Sequence, residues 1–102
     1  MSAERTFAAL GDPTRLRLID LLSDGQARSI QELSAGAPIS RQAMTKHLHV
    51  LEKARLVRSQ RRGREVCFRL EQAELDHART FLARVASQWE SALQRLANHL
   101  EK

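Results

Sequence analysis

The spacing of apolar residues changes along the chain, and each change marks an element. Ala3 to Leu10 reads as a short first helix with Phe7 and Leu10 on one face. The next stretch, GDPTRLRLIDLLSDG, opens with Asp12 as a cap and Pro13 at the first helical position, where a missing N–H costs nothing. Leu16, Ile19 and Leu22, with Leu18, recur at the helical period, and Gly25 closes the segment. In SIQELSAGAPIS, Ser29 and Glu32 have the S-x-x-E spacing of a capping box. A very short helix with Ile30 and Leu33 inward is expected there, before Gly36 and Pro38 stop it. Ser40 caps a longer helix running to about Ala54. Its apolar side is Ala43, Met44, Leu48 and Leu51, while Arg41, Gln42, Thr45, Lys46 and His49 fall mainly on the other. Two close helices separated by a glycine-containing turn outline a helix-turn-helix, and the second is the polar, basic one.

After Leu56 the period drops to two. Leu56, Arg58, Gln60 and Arg62 alternate with Val57, Ser59 and Arg61; beyond Gly63, Val66, Phe68 and Leu70 alternate with Cys67 and Arg69. Two strands joined around RRGRE make a hairpin, with Gly63 supplying the positive φ of a tight turn. A helix-turn-helix followed at once by a hairpin is a winged helix, with 40–54 as recognition helix and 56–70 as wing. The last third, from Gln72 to His99, contains no Gly or Pro. Leu75, Ala78, Leu82, Val85, Trp89, Ala92 and Leu96 step by three and four, and Phe81, Leu93 and Leu100 widen the stripe. That is more apolar surface than a small domain covers alone, so this helix is expected to pack on the first helix and on a second copy.

The expected fold is therefore mainly α with a small β-hairpin: a dimeric winged helix-turn-helix in the order α-α-α-α-β-β-α. Its length suits one domain, residues 1–102, with 1–10 and 72–100 as dimerisation helices. Phe7, Leu75, Leu82, Val85, Trp89 and Leu96 are the expected dimer contacts. No signal-like segment and no apolar run of about 20 residues is visible, so a cytoplasmic protein without a membrane span is expected.

Charge sharpens the picture. The formal net charge is +5, yet Ser40 to Leu70 holds nine Lys and Arg against two acids. That segment is thus +7 and the remainder −2. Cations concentrated in under a third of the chain are an electrostatic footprint for nucleic acid.

The residues that carry this outline resemble the ArsR/SmtB family of bacterial winged-helix repressors. FAALGDPTRLRLIDLL is similar to that family's opening segment, and SRQAMTKHLHVLEKARLVRSQRRGREVCFRL to its recognition helix and wing. The resemblance runs from about Thr6 to Leu96, and WESALQRL resembles the non-metal branch with one long terminal helix. It implies a homodimer that binds operator DNA, with the first and last helices at the dimer interface.

Within that frame Arg41, Gln42, Thr45 and Lys46 stand at the start of the helix expected in the major groove. Arg41 can donate two bonds to guanine, and Gln42 can pair with adenine. Ser40 caps the helix beside a phosphate, since helix N-termini favour anions. His49, one turn beyond Thr45, is in reach of the backbone. Arg61, Arg62 and Arg64 crowd the wing tip, where they can enter the minor groove or clamp phosphates. His47, beside Leu48, reads as a packed or hydrogen-bonded structural histidine.

Metal-sensing relatives hold ions through cysteines in the first helix of the helix-turn-helix, or through Asp and His pairs on the last helix. The stretch SIQELSAG has no cysteine, and Asp76 and His77 are adjacent, about 100° apart on a helix. No metal or other cofactor is expected. The single cysteine, Cys67, cannot form an intramolecular disulfide and reads as a small half-buried strand residue. No Ser-His-acid set, paired carboxylates, phosphate-binding glycine loop or cofactor fingerprint appears, so an enzyme is not expected. Two alternatives remain beside a homodimeric repressor: a metal- or redox-responsive version of the same fold, and a protein-interaction module that uses the basic face for an acidic protein.

Overall fold

The computed structural model describes residues 3–101. The elements run α1 (Ala3–Leu10), α2 (Pro13–Leu21), β1 (Arg28–Ser29), α3 (Ile30–Ser34), α4 (Arg41–Lys53), β2 (Val57–Arg62), β3 (Glu65–Leu70) and α5 (Gln72–Leu100). The first two residues of the expected 1–10 helix, and Lys102, lie outside the described residues. Among the described residues, no helix is long and apolar enough to cross a membrane.

Local chemistry explains the helix ends. Asp12 accepts from the Thr14 and Arg15 backbone N–H groups at 2.9 and 3.1 Å, and Pro13 follows it at the start of α2. The Ser29–Glu32 box closes in both directions: Ser29 Oγ accepts from Glu32 N at 3.1 Å, and Glu32 Oε1 accepts from Ser29 N at 3.0 Å. Without this box, five residues would not hold a helix in water. Ser40 Oγ accepts from Ala43 N at 3.1 Å and starts α4 where the sequence places it. Ser40→Ala should therefore cost about 1 kcal/mol, seen as a lower urea midpoint at constant slope. An unchanged midpoint would mean that the cap contributes nothing.

The end of α4 is a Schellman turn. Arg55 N donates to Glu52 O at 2.9 Å and Leu56 N to Leu51 O at 2.9 Å. Arg55 holds the left-handed position, φ 61°, where glycine is usual. The turn brings Leu51 and Leu56 together in the core, both fully buried.

The core gathers Leu18, Leu22, Leu33, Met44, Leu48, Leu51, Leu56, Val57 and Phe68. Every helix of the helix-turn-helix therefore reaches the same cluster as the wing root. Several inward assignments change. Of the apolar set expected in and after α2, Leu18 and Leu22 are buried and Ile19 packs partly against the core, but Leu16 is 52 % exposed. In α1 the fully buried residues are Thr6 and Ala9, while Phe7 and Leu10 are only partly covered.

The sheet has three antiparallel strands in the order β1-β3-β2 rather than a hairpin alone. Arg28 and Ser29 pair with Phe68 and Cys67, so the extended backbone that caps α3 also closes the free edge of β3. The register places Val57 opposite Leu70 and Ser59 opposite Phe68 on the core face. The same face reaches Arg61 and Val66, which are exposed because the strands outrun the body there. Cys67, expected half-buried, is fully buried as a free thiol, because β1 makes β3 the central strand. At the tip, Gly63 has φ 65° and Arg64 does not share its positive φ, the pattern of a two-residue type II′ turn.

α5 has 29 residues, about 43 Å at 1.5 Å per residue, in a molecule of 69 × 26 × 21 Å. Its first part belongs to the body: Ala78 is buried and Leu75 packs against the core. Phe81 meets Phe7 of α1 with ring centroids 5.8 Å apart, and Arg84 lies over the Phe81 ring at 5.4 Å from its centroid. Beyond Phe81 the large apolar side chains Leu82, Val85, Trp89, Leu93, Leu96 and Leu100 are all exposed.

Candidate nucleic-acid interface

The α4 helix presents two unlike faces. Met44, Leu48 and Leu51 are buried, which fixes its rotation. Arg41, Gln42, Lys46 and His49 are consequently exposed, with Thr45 half-covered between them. Gln42, Thr45, Lys46 and His49 follow the i, i+3, i+4, i+7 rule and form one stripe, with Arg41 at its leading end. The Thr45 hydroxyl donates to Arg41 O at 2.8 Å, so it offers a ligand its acceptor capacity. Arg41, Lys46 and His49 have no ion-pair partner among the described residues. At the end of this stripe Ser40 spends its hydroxyl on Ala43 N and stays exposed at a helix start that favours anions.

His47 belongs to a different set. Its Nδ1 lies 3.1 Å from Arg15 Nη1 and 3.7 Å from Asp12 Oδ2. Arg15 also donates through Nε to Ala9 O at 2.6 Å. One guanidinium thus joins the end of α1, the start of α2 and the middle of α4. With Arg15 donating to Nδ1, the His47 ring proton sits on Nε2. The Arg15 backbone N–H, with the Thr14 N–H and the Arg15 charge beside it, holds the Asp12 carboxyl below the usual carboxylate range. This is the structural role read for His47.

The three wing arginines are not equivalent. Arg61 and Arg64 are exposed and make no ion pair among the described residues. Arg62 is engaged already: Nη2 donates to Glu32 Oε1 at 2.9 Å, and Nη1 lies 3.5 Å from Ala27 O. Sequence spacing could not reveal this, because Glu32 stands 30 residues away on α3. Two other cations of the basic segment have been described differently by the structure: Arg58 pairs with Glu71 at 2.9 Å, and Arg55 forms the turn that ends α4.

Among the described residues, no three His, Cys, Asp or Glu side chains converge as metal ligands would. His77 faces Glu74 at 3.7 Å, and Asp76 faces Arg79 at 3.8 Å. The redox reading needs an exposed, ionised thiol, and Cys67 has no exposed surface.

Comparison with known proteins gives the same outline. A helix-turn-helix domain family matches residues 10–60. The chain is 36 % identical over 92 residues to the HTH-type transcriptional regulator Rv2034 of Mycobacterium tuberculosis, covering 90 % of this chain and 82 % of that one. An ArsR-like transcriptional regulator from Rhodococcus sp. RHA1 superposes with a TM-score of 0.78 at 36 % identity, covering 92 % of this chain and 88 % of the other. A homodimeric winged helix-turn-helix DNA-binding domain from Mycobacterium bovis, a possible ArsR-family regulator, matches with a TM-score of 0.63 at 28 % identity, covering 83 % and 77 %. A helix-turn-helix with an exposed basic second helix, a basic wing and this extent of similarity lead to one assignment: the chain belongs to the ArsR/SmtB family of winged helix-turn-helix DNA-binding transcriptional regulators.

Proposed function

We propose that the protein is a homodimeric repressor that binds a palindromic operator and excludes polymerase by occupying the promoter. The observation that carries this reading is the division of α4: its apolar face is locked in the core, and Arg41, Gln42, Lys46 and His49 are left exposed. Arg41 and Gln42 are assigned to base edges, Thr45 and Lys46 to the groove wall, and Ser40 and His49 to phosphates. Arg61 and Arg64 meet the flanking backbone or minor groove.

The dimer is assigned to the exposed stripe of α5, from Leu82 through Val85 and Trp89 to Leu96. Phe7 and Leu75 support it from within the protomer: Phe7 braces Phe81, and Leu75 anchors the root of α5. A two-fold dimer requires two half-sites about one helical turn apart.

In a mobility-shift titration with the protein's own promoter, Arg41→Ala or Lys46→Ala should weaken binding roughly tenfold while the dimer persists, as expected for loss of a base or phosphate contact worth about 1–3 kcal/mol. Unchanged affinity in both variants would move the reading surface elsewhere. If random DNA competes as well as the promoter at physiological salt, that result favours an acidic protein as the partner of the basic face over an operator.

A further inference from the structure

Resting on the operator-binding reading, we propose that Arg62 is a positioning residue: it acts through Glu32 to brace the wing tip against α3, so that Arg61 and Arg64 meet DNA at a fixed height.

Beyond its root the wing has no third strand beside it among the described residues. β1 supports the wing only at its root, where Ser29 pairs with Cys67 and Cys67 with Gln60. Beyond that row, β2 and β3 continue as a two-stranded ribbon through the Arg62–Glu65 pair to the Gly63–Arg64 turn. A two-stranded ribbon alone is marginally stable and free to flex. Arg62 sits two residues past Gln60, about 7 Å nearer the tip, on the same face as Gln60 and Cys67. That face looks toward the α2–α3 connection, where Ala27 O and Glu32 Oε1 receive its guanidinium. Arg61, one residue earlier, shares the opposite face with Val66.

Glu32 is well chosen as the anchor. Its Oε1 already accepts Ser29 N in the capping box, so the carboxylate cannot swing away without unfastening α3. The Ser29 backbone N–H, the Ser29 hydroxyl and then Arg62 hold this carboxyl below its ordinary range, and the hydrogen bond to Glu32 raises Arg62. The ion pair links the wing to the first helix of the helix-turn-helix, and α3 in turn packs on α4. Wing and recognition helix are thereby kept in one frame.

The brace and a direct phosphate clamp predict opposite signs. α3 borders the DNA backbone in this docking geometry, so removing the Glu32 charge should tighten binding if only electrostatics acts. Glu32→Gln keeps the capping box and removes the charge, so the ion pair to Arg62 becomes a weaker hydrogen bond to a neutral acceptor. With the brace, Glu32→Gln weakens promoter binding about two- to fivefold. Arg62→Ala weakens it similarly with an unchanged salt slope, and the double variant is no weaker than Arg62→Ala. Arg62→Lys recovers part of the loss. Binding by Glu32→Gln at or above the wild-type level, or a salt slope reduced by about one in Arg62→Ala, would overturn the proposal. A second readout needs no DNA. Amide exchange at Arg62 and Glu65, the last paired residues of the ribbon, should quicken in Glu32→Gln in the intact protein while α4 exchange stays constant, and unchanged exchange there would also overturn it. Wild-type protein that shows no preference for its promoter, with the tip still loosened by Glu32→Gln, would sink the operator reading and not the brace.

Discussion

Replacing Trp89 with glutamate is expected to dissociate the dimer and to weaken operator binding by about a hundredfold or more. Trp89 is 65 % exposed in the protomer and lies midway along the bare stripe from Leu82 to Leu96. Its side chain therefore contributes little to the protomer's own fold, and the urea midpoint of the isolated chain should hardly move. In the proposed dimer this indole is assigned to the buried seam, and a glutamate in its place would lose the water that solvates it. Operator affinity depends on both half-sites being held at once. The second contact benefits from an effective concentration that a monomer lacks, an advantage of about 10²–10⁴. Sedimentation should show a monomer, and the mobility shift should move to much higher protein concentration. A dimer that survives Trp89→Glu with full affinity would show that the stripe serves something else.

The second large effect lies in the core. Leu48→Ala should lower stability by about 3 kcal/mol, within the 2–5 kcal/mol usual for a buried leucine. Leu48 has no exposed surface and belongs to the cluster shared by α2, α3, α4 and the wing root. A cavity there loosens the helix that carries the basic stripe, so operator binding should fail at temperatures where the wild type remains folded. Val50 on the same helix is 39 % exposed, and Val50→Ala should stay within about 0.5 kcal/mol. The two variants measured together in urea check the assigned rotation of α4. A loss below about 1 kcal/mol for Leu48→Ala would contradict it.

Those two residues also show why some of the structure was legible in sequence. The α4 helix declares itself through Ser40, an apolar set at one spacing and the change of period after Leu56, all local signals. The capping box at Ser29 and the tight turn at Gly63 are local too, and both occur where expected. α2 is harder. LRLIDLL holds so many apolar residues that its period admits more than one inward face, and the core settles on Leu18 and Leu22, leaving Leu16 outside. β1 is two residues long, too short to carry any pattern; it exists because β3 has an edge to fill.

The apolar stripe of α5 reads as continuous in sequence, but the protein divides it at Phe81. Leu75 and Ala78 are consumed by the protomer, and only the part that outreaches the body stays bare. The wing arginines make the same point about the site. RRGR looks like one cationic tip, yet Arg62 is drawn back to Glu32 while Arg61 and Arg64 stay exposed and make no ion pair among the described residues. Composition gives the number of cations, and only the fold decides which of them are already paired.

In the proposed function two copies read a symmetric site through α4. Selection of bound fragments from a pool of random DNA by the intact protein tests this most directly. Recovered sequences should carry two inverted half-sites whose centres lie about one helical turn apart, and Arg41→Ala should lose that enrichment. Recovery of an unrepeated site, or of no enriched sequence at all, would contradict it.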